Sequence, residues 1–305
     1  MKRMILTLAF AFCLQTVHAE EPVKLEMKYL VGKTYTQNMH MQQEMAFEVA
    51  GNKLEQEILM DTRIIMKVTE GDKAGTKNVG ISYDRIAQSV DMNGQKMAYD
   101  SDKPEEGNPM LGIALKGLIG KSFTMVVDEK MEIKEILGID EMLAGGDEAT
   151  AAAMKKMLSK EYLEQIFHAN LTQALPENAV VKGDKWDVEY SQKIPDMGSV
   201  KVSGKMSHDG ADEIDGQKCV KLGNNLKMEI DLSGIDENAN PAMAAMAMRI
   251  EDGKMEGSTW WDPALGYARK AAFTQTMTMS MKNPETGEKM TIPMVQSIET
   301  TVSVD

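Results

Sequence analysis

Cysteine is almost missing from this chain of 305 residues: there are two, Cys13 and Cys219. Cys13 lies in an N-terminal apolar run of the kind that is cut away, which leaves Cys219 alone, excludes an intramolecular disulfide and hands stability to packing. Cys219 has no CxxC partner and reads as an inert strand residue. Aromatics make up 5% of the chain, with only six Phe. Histidine is scarce, and no GxSxG, HExxH, Walker loop or GxGxxG after a strand is present, so the sequence offers no recognisable catalytic centre. Positive charge is short as well. With 34 basic against 47 acidic residues the net charge is −13, which repels phosphate backbones and anionic headgroups and excludes nucleic acid as a partner.

What is present begins at the N-terminus. Lys2 and Arg3 form a positive region, Met4 to Leu14 an apolar run, and Val17-His18-Ala19 a small-x-small site, the pattern of a secretory signal cut between Ala19 and Glu20. The run is too short and too poorly flanked for a membrane span, and no transmembrane segment follows it. A lipid anchor at Cys13 would need a small residue before it, and Phe12 is bulky. Cleavage after Ala19 leaves 286 of the 305 residues, with 32 basic and 47 acidic side chains, a net of −15. The expected place is outside the cytoplasm, in the periplasm, the extracellular space or the cell envelope of a bacterium.

Period-two alternation dominates the rest. Met39, Met41, Met45, Phe47 and Val49 alternate with polar residues, Gln37, Gln42 and Glu44 falling on or near the other face; the chain turns at Ala50-Gly51-Asn52 and returns through Leu54, Ile58, Met60, Ile64, Met66 and Val68. Two such runs around a Gly-Asn turn predict a long hairpin. Further strands are predicted over Val79–Val90, Lys96–Asp100, Phe123–Val127, Met131–Ile136, Trp186–Gln192, Val200–His208 and Gln217–Leu232, with turns at Asn93-Gly94, Asp128-Glu129-Lys130, Asp209-Gly210 and Asp215-Gly216. A final hairpin runs from Phe273 through Ser280, turns at Asn283–Gly287 and returns to Val302. Helices are fewer. Asn108-Pro109 caps a short helix reaching Leu118. The stretch Asp147–Leu175 is helical by composition, but its apolar faces at Met154/Met157/Leu158 and Leu163/Ile166/Phe167 point apart, which predicts a break near Ser159-Lys160. Ser233–Met248 reads as an insertion between strands.

Methionine is the compositional anomaly, 28 residues in all. Thioethers can bind Cu(I), and Met39-His40-Met41 is the candidate metal set, but on a strand His40 faces away from both methionines. Met277, Met279, Met281, Met290 and Met294 share a face on the last hairpin. Flexible and apolar, they serve as gap-filling core or as an adaptable wall for an apolar ligand, and they are the candidate ligand-binding residues. His168 lies on a polar helical arc beside Glu161 and Glu164, and His208-Asp209 at a strand end. Asp209, Asp212 and Asp215 lack the spacing of a calcium loop. No catalytic residue and no cofactor is assigned.

The order of short motifs resembles an uncharacterised family of exported bacterial envelope proteins, a domain of unknown function. The likeness rests on Gly32-x-x-Tyr35, Tyr83-Asp84-Arg85-Ile86, Gly120–Thr124 leading to Val127-Asp128, Gly138-Ile139-Asp140, Leu175-Pro176 and Gly183-Asp184-Lys185-Trp186. One departure is Met131, where such a turn more often has Gly. The family implies no catalytic residues. More loosely, the architecture is similar to the half-open barrels that carry lipoproteins or lipids across the periplasm, an analogy of fold only.

The expected fold is α+β and β-dominated: long antiparallel strands in a curved sheet or half-open barrel, with a few helices on one face. The expected organisation is a signal at 1–19, a first β-rich half at 20–140, a helical segment at 141–175 and a second β-rich half at 176–305, the last three also readable as one continuous domain, 20–305. The expected role is a non-enzymatic envelope protein binding an apolar or amphipathic ligand, with a lipid or envelope protein as partner. The alternative is a structural or protein-interaction module without a small ligand. A hydrolase would need His208 or His168 in a cleft beside a carboxylate.

Overall fold

The structure, a computed structural model, describes residues 21–49, 52–144, 152, 155–167, 174–195, 198–232, 249–282, 287 and 289–305. The alternation found in the sequence becomes strands β1 (Thr34–Val49), β2 (Asn52–Glu70), β3 (Thr76–Met92), β4 (Gln95–Asp100), β5 (Ser122–Asp128) and β6 (Ile133–Leu137). After a helical stretch follow β7 (Lys185–Ile194), β8 (Gly198–Ile214), β9 (Gln217–Asp231), β10 (Arg249–Asp262), β11 (Tyr267–Lys282) and β12 (Lys289–Val304). All twelve join one antiparallel sheet in the order β6-β5-β3-β2-β1-β12-β11-β10-β9-β8-β7, with β4 added to β3. The first and last strands therefore meet in the middle, β6 and β7 end the row, and among the described residues β4 is paired on one side only.

Three short helices are described: α1 (Pro109–Lys116), α2 (Ile139–Leu143) and α3 (Lys160–Phe167). Asn108 caps α1 as its sequence predicts, its Oδ1 accepting from the Met110 N–H at 2.9 Å. The predicted break falls where expected. Residues 155–157 are helical, the helix stops, and Ser159 restarts it by accepting the Tyr162 N–H on Oγ at 3.3 Å and the Leu163 N–H on its carbonyl at 3.0 Å.

Helix α3 touches both β6 and β7, and its Gln165 Oε1 accepts from the Lys193 N–H on the β7 edge at 3.0 Å. In a flat sheet those two edges would stand about 48 Å apart at roughly 4.8 Å per strand step, whereas eight helical residues span about 12 Å. The sheet is therefore strongly curled and left unclosed, with a helix bridging the gap. That also occupies a bare strand edge, which would otherwise invite intermolecular pairing.

The turns follow local chemistry. Asn93-Gly94 and Asp215-Gly216 all have positive φ, the pairing required in a two-residue hairpin of type I′. Met131 takes φ 66, so this turn keeps the left-handed geometry without the glycine that would adopt it freely; as a result β6 starts at Ile133, two residues later than predicted. Asp209-Gly210 is not a turn. Strand β8 runs on to Ile214, and the pairing with β9 shifts register between His208 and Gly210, so the extra residue forms a bulge. An Asp-Gly pair reads alike in a turn and in a bulge. The predicted turn residues Ala50, Gly51 and Asn283–Thr286, together with Ser233–Met248, lie outside the described residues.

Two cores fill parts of the curl. The first gathers Tyr29, Tyr35, Met66, Val68, Val79, Met125 and Val127 under Met142 of α2 and Leu163 of α3. The second gathers Leu25, Val188, Val202, Leu222, Leu226 and Trp261. Residues 21–31 run between them in extended form. Val23 pairs with Val180, Lys28 N–H donates to Gly266 O at 2.8 Å, and Met27 packs on both cores.

Candidate functional site: an uncharged inner wall

Opposed residues in an antiparallel pair share a face, so the register assigns every side chain to one side of the sheet. The side facing the cores takes Tyr35 to Met45 in odd positions on β1, Leu54 to Val68 in even positions on β2, and Ile292 to Val302 in even positions on β12. It continues with Ala271 to Met281 in odd positions on β11 and, through bulges, with Met255–Trp261, Val220–Ile230 and Val200–His208 on β10, β9 and β8. Over these ranges it carries no Asp, Glu, Lys or Arg. The opposite side takes the charges, among them the cross-strand pairs Arg63–Asp84, Lys205–Asp187 and Lys270–Glu299.

Among the described residues, the two cores cover the flanks of this face and not its centre. On β2, β1, β12 and β11, the side chains of Ile58, Met60, Met39, Met41, Met45, Ile298, Met294, Phe273, Met279 and Met281 belong to neither core and are half-buried. The five methionines singled out on the last hairpin come together here. Met277 stands opposite Met294, Met281 opposite Met290, and Met294 is opposed on its other side by Met45. Met277 also touches the second core.

Three glutamines cross this wall in one row. Gln43 opposes Gln296, and Gln296 opposes Gln275. Above them lies the row Met45, Met294, Met277; below them lies Met41, Ile298, Phe273. The amides find only thioethers as hydrogen-bond acceptors: Gln296 Nε2 donates to Met41 Sδ at 2.8 Å, Gln43 Nε2 to Met45 Sδ at 3.4 Å and Gln275 Nε2 to Met255 Sδ at 3.5 Å. Sulfur is a weak acceptor, so these contacts are weaker than an amide–carbonyl hydrogen bond. Sequence reasoning missed this row and put Gln37 on or near the other face; Gln37 and Gln43 both share the parity of Met39, and that was the available signal.

The metal candidate separates as strand geometry predicts. Met39 and Met41 join the wall, while His40 is exposed on the other side with Nδ1 2.7 Å from Asp61 Oδ1. Among the described residues no three His, Cys, Asp or Glu side chains are grouped to hold a metal ion. His208 is not at a strand end: it is 3% exposed within β8, and its Nδ1 has no hydrogen-bond partner among the described residues. His168 lies outside the described residues. Cys219 is a free, buried thiol on β9, and burial pushes its pKa up, away from the reactive thiolate. Among the described residues, no helix is long and apolar enough to cross a membrane.

The fold is thus a twelve-stranded, curled and unclosed antiparallel sheet whose inner face carries no charged side chain over the ranges above. The chain belongs to a family of unknown function, DUF6263, whose pattern matches residues 74–239. No curated protein matches it significantly. Among solved structures it is similar to lipovitellin, in a structure described by its lipid–protein interactions, at 8% identity and a TM-score of 0.48 over 91% of this chain. This chain spans about a quarter of that one (26%). It is also similar to a putative outer membrane lipoprotein-sorting protein domain from Vibrio parahaemolyticus, at 10% identity over 88% of this chain and 84% of that one, TM-score 0.15. A DUF1329 family protein from Desulfovibrio piger matches at 10% identity over 88% of this chain and 85% of that one, TM-score 0.14. None of the three scores reaches 0.5, and no property of theirs is transferred here.

Proposed function

We propose that this is an exported, non-enzymatic protein of the bacterial envelope that holds an apolar or amphipathic ligand against the central wall of its sheet. One observation carries the reading: methionine, isoleucine and phenylalanine side chains on four adjacent strands stay outside both cores and only half-buried. A contiguous apolar surface of that kind is the usual mark of a binding face, and methionine lets it adapt to more than one shape. Export rests on Lys2, Arg3, the apolar run and Ala19-Glu20.

The test is native mass spectrometry of the mature protein, purified from a bacterial envelope without detergent. The expected result is a bound mass of several hundred daltons that fragments as lipid. A bare chain, together with failure to bind an apolar fluorescent probe, would refute the reading and favour a protein-interaction module. The exposed Met92 and Met97, which flank the β3–β4 turn, would then be the first surface to examine.

A further inference from the structure

We infer that the wall selects uncharged amphiphiles, with the glutamine row receiving their ester, amide or hydroxyl groups; this deepens the ligand-binding reading and rests on it. Two observations combine. The first is the lack of any Asp, Glu, Lys or Arg over the central part of the inner face, on β2, β1, β12 and β11 between Leu54–Val68, Tyr35–Met45, Ile292–Val302 and Ala271–Met281, in a chain where 27% of residues are charged. A carboxylate, phosphate or ammonium placed there finds no counter-ion and gives up its hydration without return. The second is the row Gln43–Gln296–Gln275, three amides in register on neighbouring strands, whose N–H groups meet only methionine sulfur.

Strand spacing makes this row about 10 Å wide, and the apolar rows on either side stand about 7 Å away along the strands. A hydrocarbon chain lying on the methionines would bring a neutral polar group to the amides. An amide both donates and accepts, so it can replace its weak N–H···S contact with a carbonyl or a hydroxyl. A charged head would have to remain outside.

The mature chain's net charge, 32 basic against 47 acidic residues or −15, would also disfavour anions, so the decisive comparison includes a cation. Full-length mature protein is loaded with the neutral probe N-phenyl-1-naphthylamine, which is displaced in turn by monooleoylglycerol, oleate and oleylamine. Monooleoylglycerol is expected to bind roughly tenfold or more tighter than either charged analogue. Oleylamine binding as tightly as the glyceride would overturn the inference while leaving the ligand-binding reading intact. Failure of the naphthylamine and of all three competitors to bind would overturn both. Gln275→Met/Gln296→Met, which keeps side chains of similar size, is expected to weaken monooleoylglycerol severalfold relative to the naphthylamine. Unchanged glyceride affinity in that variant would remove the glutamines from recognition, and the charge comparison on the wild type stands even if the variant does not fold.

Discussion

The methionines of this molecule sit in two settings, inside the cores and outside them, and a paired truncation tests whether these differ. Met125 is 0% exposed in the first core, wedged between Val79 and Ile136 across its two neighbouring strands. Met294 has the same side chain on the wall, half-buried and outside both cores. Truncating a buried methionine to alanine removes its transfer energy and leaves a cavity, together about 2–5 kcal/mol. A half-buried wall residue loses about half the transfer term and opens no closed cavity, so Met294→Ala should cost about 1 kcal/mol or less. Urea denaturation of the two variants and the wild type, at equal slope, measures both. Met125→Ala is expected to shift the midpoint clearly and Met294→Ala hardly at all, while apolar-probe binding responds in the opposite order. If Met294→Ala costs as much as Met125→Ala, the wall is ordinary core and the division drawn here is wrong.

Other expectations can be checked separately. Asp262 is buried, accepts the Ala264 and Leu265 N–H groups and pairs with Arg269 Nε at 2.7 Å, so Asp262→Ala strands a mostly buried guanidinium and should cost about 3–5 kcal/mol by thermal or urea unfolding; a loss under 1 kcal/mol would refute that reading of the pair. Hydrogen bonds from Arg85, Lys134 and Trp260 hold Asp100, Asp128 and Asp212 below the ordinary carboxyl value of 3.8. Their contribution to stability is complete above that value and is lost as the pH falls through their lower folded-state values, so acid unfolding should ease in Lys134→Met, and an unchanged acid midpoint would count against it. Burial pushes the Tyr29 hydroxyl up and Tyr267 up to about 12, so stability should hold below pH 10 and fall as the pH rises through the folded-state values, with late tyrosinate absorbance as the marker. N-terminal sequencing of exported protein should begin at Glu20, and retention of Met1–Ala19 would remove the signal assignment.

Much of the sheet was legible because its information is local. Alternation of apolar and polar residues names a strand without knowledge of its partner, and Asn93-Gly94 or Asp215-Gly216 names a hairpin through the positive φ both residues adopt. The break near Ser159-Lys160 was legible in the same local way, because the apolar faces on its two sides point apart. Strand order was not legible. The pairing of β1 with β12 joins residues more than 250 positions apart, and the contact of α3 with both sheet edges depends on how far the sheet curls. Asp209-Gly210 failed for a different reason: its sequence fits a turn and a bulge equally, and pairing with β9 decided between them.

The glutamine row shows why a site of this kind escapes a reading of the sequence. Each glutamine alone breaks the alternation of its strand by one residue, which is easily taken as noise or as a residue on the other face. Only the register places Gln43, Gln296 and Gln275 side by side, and only the folded chain shows their amides donating to methionine sulfur. The methionines mislead in the opposite sense. Spaced two apart on a strand, they look alike in sequence, yet Met66 and Met125 are sealed in the first core while Met41 and Met294 line the uncovered centre. What separates them is the path of residues 21–31 and the positions of α2 and α3, which cover one part of the face and leave the rest. Which methionines stay outside the cores depends, among the described residues, on where the helices pack, and no pattern within a single strand encodes that.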